Sequence, residues 1–308
     1  MRPDAFAAVM ATGIVSIAAE DHGYHVVSGV LAAVAAVGLV VLVVVGVIAW
    51  RREPLDFSQP ETPIQLLTFV AACAVVGSRL EWSVVAHRTL AFLALIGWLM
   101  LVPLAQRAMW RYRWTVLRDR ARGGGELLSV ATSGLAILAA DLGLVWLAIG
   151  LLALAICGYG AMTGLVIWRA VHDPTVVELR QPDVWILMGG AAIATLAGDH
   201  IHRAGFEAIK PVTVVTWIVA SLWIPLLLVV SVKLRDGNWW ATVFPLGMYS
   251  SATFATAVET GWRPLMTVSL VFFWIALAAW MVTCCAEIDV LHALTRTFSA
   301  KRRFRRRS

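Results

Sequence analysis

Asn238-Trp-Trp-Ala-Thr-Val-Phe-Pro-Leu-Gly-Met-Tyr-Ser-Ser-Ala-Thr253 is the stretch on which the reading of this chain turns. It opens an apolar segment with paired tryptophans, side chains that favour a membrane–water interface. Pro245 and Gly247 then interrupt it, and Ser250, Ser251, Thr253 and Thr256 follow where a lipid-facing helix would carry leucine. Proline inside a spanning helix is tolerated when neighbouring helices or water satisfy the freed backbone groups. A small, hydroxylated face belongs against other helices or a pore. The segment is therefore expected to line something, and Phe244, one residue before the expected kink, is the large ring at its narrowest point.

Working outward, the whole chain asks for a bilayer. Of its 308 residues 60% are hydrophobic and 14% charged. Several charge-free windows of about 20 residues match the thickness of a hydrocarbon core. The fold class expected is an all-α polytopic membrane protein. Ten spans are placed at approximately 4–20, 26–50, 62–79, 87–107, 126–142, 144–169, 183–203, 211–233, 239–259 and 264–287. They make a single transmembrane domain over 1–290, followed by a basic tail over 291–308. Arg2 leads directly into a helix without a removable signal pattern, so residue 1 is expected as the mature start.

The odd-numbered spans begin at steps of roughly 55 to 65 residues, which suggests five helical hairpins in quasi-symmetry. Even spans are broadly apolar, as in 30–49. Odd spans carry the small and polar residues: Thr12, Gly13 and Ser16; Thr68, Gly77 and Ser78; Ser129, Thr132, Ser133 and Gly134; Gly189, Gly190, Thr195 and Gly198. Five odd helices are therefore expected to line a central pore, with five even helices outside. Small residues that serve only close helix packing are the alternative. The pore-lining residues expected are Thr12, Gly13, Ser16, Thr132, Ser133, Gly134, Thr195, Pro245, Gly247 and Ser251.

Lysine and arginine set the orientation. Twenty of the 25 fall on the side that carries both termini, and five (Arg79, Arg88, Arg203, Lys210, Arg263) fall opposite. Both termini are thus expected to be cytoplasmic in a multi-pass cell-membrane protein, with each odd helix starting inside and ending outside.

Two motifs resemble the tellurite-resistance/dicarboxylate transporter family, which includes bacterial TehA, fungal malate and sulfite carriers and the plant slow-type anion channel. One is Pro3-x-x-Phe6-x-x-Val-Met10-Ala-Thr12-Gly13-Ile-Val-Ser16. The other is Trp239-Trp240-x-x-x-Phe244-Pro245-x-Gly247, followed by Ala252-Thr253. The resemblance implies a homotrimer with one pore per protomer, plugged by Phe244. It also implies an anionic substrate: malate and related C4-dicarboxylates, sulfite, chloride, nitrate or tellurite.

No enzyme constellation stands out, and no Gly-x-x-x-x-Gly-Lys loop supports ATP-driven transport. No cofactor and no metal site is expected. The basic linker 107–122 interleaves Trp110, Tyr112 and Trp114 with arginines, which fits an interfacial anchor better than nucleic-acid binding. Cys73, Cys157, Cys284 and Cys285 read as buried small hydrophobes; Cys284 and Cys285 are also candidates for palmitoylation. The N-termini of the odd helices, with Pro3, Pro63 and Pro182 near three of them, would draw anions to the inner mouth, helped by the loop arginines.

At the outer mouth the odd helices end near Glu20 and Asp21, Asp141, Asp199 and Glu259. These acids would either pair with Arg79, Arg203 and Arg263 or bind a proton and couple it to transport. His200 and His202, in Asp199-His200-x-His202, are candidates for proton exchange, since histidine as a residue type ordinarily titrates near neutral pH; spaced i and i+2 on a helix, they diverge and suit a metal poorly. The leading expectation is an anion channel with net efflux. A proton-coupled mono- or dicarboxylate carrier and a non-conducting membrane sensor or scaffold are the alternatives.

Overall fold

The computed structural model describes residues 3–53, 55–111, 122–172, 181–231 and 238–305, with side chains to 287. Most of the basic linker, 112–121, lies outside the described residues, as do Arg180, Lys233 and Arg235. Among the described residues there are ten α-helices. They are α1 (Ala7–Asp21), α2 (His25–Arg52), α3 (Glu61–Arg79), α4 (Val84–Trp110) and α5 (Leu127–Asp141), then α6 (Val145–His172), α7 (Ile186–Arg203), α8 (Lys210–Ser231), α9 (Trp240–Thr260) and α10 (Pro264–Arg305). One turn of 3-10 helix leads into each of α5 and α7, at Gly123–Glu126 and Pro182–Trp185. α10 keeps its helical backbone to Arg305, through the segment expected as a tail.

The chain is an all-α polytopic membrane protein. Eight of the helical segments are long and apolar enough to cross a bilayer. The other two are α1 and α9. With 15 residues, α1 spans only about 22 Å, and the hydroxylated face of α9 lowers its hydropathy. Both sit deep in the bundle, where lipid does not demand an apolar surface.

The odd helices close a ring. α1 packs on α3, α3 on α5, α5 on α7, α7 on α9, and α9 again on α1. Each even helix lies against the odd helix before it and the odd helix after it, so the even helices form a sheath. Burial follows that division: 94% of the α7 span is buried against 17% of α2. An almost wholly Val/Leu/Ala helix such as α2 has no polar stripe to hide and no reason to enter the ring.

Turn chemistry repeats as well. Gly23, Gly143, Gly205 and Gly261 close four of the five hairpins in the left-handed region, with φ between 74° and 99°, where a side chain would be strained. The ring thus has a hairpin end, where these turns lie, and a basic end, where the odd helices start.

Pro245 does not end α9. The helix runs unbroken from Trp240 to Thr260, because a proline at its sixth residue removes one backbone bond near the start, where few have formed. Of the four cysteines only Cys73 is buried; Cys157 and Cys285 are exposed and Cys284 is intermediate, on sheath helices.

Candidate functional site

The ring approaches so closely because glycine stands at its contacts. A Cβ on Gly134 of α5 would lie 2.8 Å from Cβ of Ala74 on α3, well inside the 3.5–4.0 Å that two carbons prefer. A Cβ on Gly189 of α7 would meet Pro245 at 3.0 Å and the Phe244 ring at 3.3 Å. Gly13 faces Val75, and Gly247 faces Ile14, in the same manner. Four of the five ring contacts therefore use a glycine, and the glycines expected in the pore act first as packing surfaces.

The hydroxyls behave likewise. Trp280 Nε1 of α10 donates to Thr12 Oγ1 of α1 at 2.9 Å, and Trp98 of α4 donates to Thr132 of α5 at 2.9 Å. Trp217 of α8 donates to Thr253 of α9 at 3.0 Å. Each bond staples an even helix to the next odd one. Within hairpins, Ser16 and Ser28 each donate to the other's backbone carbonyl, as do Ser250 and Ser269, and Thr195 donates to Thr216. A hydroxyl in a low dielectric needs a partner, and the sheath supplies one. Thr12, Ser16, Thr132 and Thr195 therefore bond toward the sheath, while the Ser133 hydroxyl is buried without a hydrogen-bond partner among the described residues.

What remains at the ring's centre is a cavity of about 170 Å³ to which all five odd helices contribute. Its deeper wall is apolar, with one side chain or surface from each helix: Ile14, Ala74, Gly134, Ile193 and Met248. Its wall toward the hairpin end is charged, with Glu20, Asp21, Arg79, Asp199, His200 and Arg203, and Ser251 beside them. Gly134 and Ser251 are the expected pore-lining residues on its wall. One helical turn from Met248, toward the basic end, the Phe244 side chain is fully buried at 0% exposure. Pro245 is packed against Gly189 beside it.

The acids at the hairpin end are mostly paired. Arg79 reaches Glu20 at 2.9 Å and Arg203 reaches Asp199 at 2.8 Å. His200 Nδ1 bonds Asp141, which also accepts from Ser78 at 3.3 Å, so one polar cluster joins α3, α5 and α7. Both carboxylate oxygens of Glu259 are buried without a hydrogen-bond donor among the described residues. Arg263 makes no ion pair among them. His200 and Arg203 also line a second cleft of about 690 Å³, on the far side of the Asp141 cluster. In the turn after α1, burial holds the His22 imidazole below its ordinary pKa, against the opposing bond from Ser269.

One group escaped sequence reading. Glu126, in the turn before α5, is fully buried; it accepts from Thr163 Oγ1 at 2.6 Å through one oxygen and has no partner on the other among the described residues. A single acid beside glycines and arginines in a basic stretch gave no signal of burial. The apolar residues of the cavity wall were equally silent, since Ile14, Ile193 and Met248 look like any packing residue.

A ring of five short helices, closed around a cavity and sheathed by five apolar ones, defines a membrane pore or carrier rather than a soluble binding module. The described residues supply no nucleophile and base converging on one point. The chain belongs to the voltage-dependent anion channel family, whose sequence profile matches residues 1–288. It is 30% identical to the uncharacterised membrane protein Rv1735c of Mycobacterium tuberculosis, over 45% of this chain and 78% of that one. It is 26% identical to the uncharacterised transporter MJ0762 of Methanocaldococcus jannaschii, over 44% of this chain and 43% of that protein. The family points to a membrane anion channel or transporter.

Proposed function

We propose that the protein conducts small anions along the axis of the odd-helix ring and that Phe244 gates the passage. The observation that carries this reading is the cavity built from all five ring helices, ending one turn short of a fully buried phenylalanine. A narrow apolar segment dewets and excludes hydrated ions, so a ring at that depth acts as a plug. The anions considered are chloride, nitrate, sulfite, C4-dicarboxylates and tellurite. With the basic end cytoplasmic, helix N-termini and arginines enrich anions inside the cell, and an interior-negative potential drives them outward. Net efflux across the cell membrane is the direction this favours, with each protomer of a trimer carrying its own pore.

The Asp141–His200 pair at the cavity's charged end favours a second reading, a proton-coupled carrier, because a carboxylate hydrogen-bonded to an imidazole offers a path along which a proton can pass. Flux of labelled anions into proteoliposomes separates the two. A channel responds to membrane potential and ignores an imposed proton gradient; a carrier follows the gradient and loses that response in Asp141→Asn. No flux of any of these anions under either driving force would overturn both readings and leave a non-conducting sensor.

A further inference from the structure

A crevice of about 440 Å³ runs between α2 and α4 at the basic end of the molecule, over the starts of α1 and α3. Its walls are almost wholly apolar. Val43 and Val47 of α2 face Met100 and Leu104 of α4, and the edge-to-face pair Phe6 and Phe69, with centroids 5.2 Å apart, adjoins them. Gly97 lets α4 close on α3 beside it, since a Cβ there would meet Val70 at 3.0 Å. The mouth carries Trp50 and Phe57, 6.1 Å apart. Beside the mouth, Arg51 and Arg52 end α2, and Arg107 lies in the last turn of α4. All three are exposed and make no ion pair among the described residues. The acids nearby are Glu53, at the mouth, Asp56, between the lining residues Leu55 and Phe57 and accepting the backbone N–H of Ser58, and Glu61, which opens α3.

We propose that this crevice binds one anionic phospholipid, with an acyl chain between α2 and α4 and the headgroup on the arginines. An apolar groove on the sheath lies at the depth of the acyl chains, and tryptophan with arginine at its mouth matches the level of the headgroups. The three guanidiniums can hold a phosphate through two parallel hydrogen bonds, and they repel the ammonium of a zwitterionic headgroup, which makes an anionic headgroup the better fit. The site is independent of what passes through the ring.

The test is native mass spectrometry of the purified protein released from nanodiscs of equal phosphatidylglycerol and phosphatidylcholine. One phospholipid is expected to stay on each protomer. Phosphatidylglycerol should be enriched by about fivefold for each arginine engaged. Val47→Trp on one wall, and separately Met100→Trp on the other, should remove it; both positions are partly exposed, so the ring core is untouched. The double substitution Arg51→Gln, Arg52→Gln should keep the lipid and bring the two headgroups toward parity. Equal lipid retention in the filled variants would overturn the proposal, as would equal headgroups in the unmodified protein. A change of oligomeric state in the filled variants, without lipid loss, would assign the crevice to a second copy of the chain and overturn it too.

Discussion

Removing the imidazole of His200 should loosen the hairpin end of the ring by an amount the geometry fixes. His200 Nδ1 and Asp141 are joined with side chains 21% and 12% exposed, and Ser78, at 3.3 Å, is the other donor to Asp141. His200→Phe keeps the ring volume and deletes the donor. A hydrogen bond to a charged group contributes about 1.5–3 kcal/mol. Partial exposure places this one in the lower half, near 2 kcal/mol by the same principle. At about 2–4 °C per kcal/mol for long chains, the thermal midpoint in detergent should fall by roughly 4–8 °C. The exposed pair His25–Glu20, 74% and 40% exposed, is the control, and His25→Gln should fall within about 1 kcal/mol of the parent. Combining His200→Phe with Asp141→Asn should fall short of the summed effects by about 1 kcal/mol or more, because the second change removes the stranded charge. Additive effects, or a His200→Phe midpoint equal to that of His25→Gln, would refute the view that this cluster ties α3, α5 and α7 together.

Four further outcomes follow from the same geometry. Gly134→Leu, forced against Ala74, should cost about 1–3 kcal/mol or more, with part recovered by Ala74→Gly in denaturation of the double variant. Glu126→Gln keeps an acceptor for Thr163 and replaces a buried ionisable group by a neutral one, so its midpoint should equal or exceed the parent's, whereas Glu126→Ala should lose about 1–3 kcal/mol. Because burial depresses the His22 pKa from its ordinary 6.5, its contribution is complete above pH 6.5 and lost as pH falls below it. A melting series should show that decline, flattened in His22→Asn. Neutralising Asp199 and Glu259 together should raise anion entry from the hairpin side more at low salt than at high, since screening removes the repulsion; equal gains at both would refute an electrostatic rim.

Much of the architecture was legible because the bilayer simplifies the problem. Apolar runs such as 30–49 had to be sheath, and segments with Pro245, Ser250 and Ser251 had to be shielded from lipid. The direction in which hydroxyls point was not legible. Thr12 and Thr132 sit on ring helices as expected, yet tryptophans 268 and 34 residues away in sequence turn them toward the sheath. Periodicity along one helix does not say which neighbour offers an N–H. Likewise the acids at the hairpin end were visible, but a reading along the chain could not tell that Asp141 and His200, 59 residues apart, would meet. Glu126 was missed because a lone carboxylate in a basic loop looks solvated until Thr163 and Tyr159 close over it.

Under the proposed mechanism anions pass along the ring axis and the Phe244 ring blocks them. Anion flux into proteoliposomes under a clamped membrane potential should be compared for the parent, Phe244→Leu and Phe244→Ala, with folding checked by chromatography and melting. Flux should rise in that order as the side chain shrinks, largest for Ala despite a stability loss of about 3–5 kcal/mol. Parent-level flux in a folded Phe244→Ala protein would contradict it.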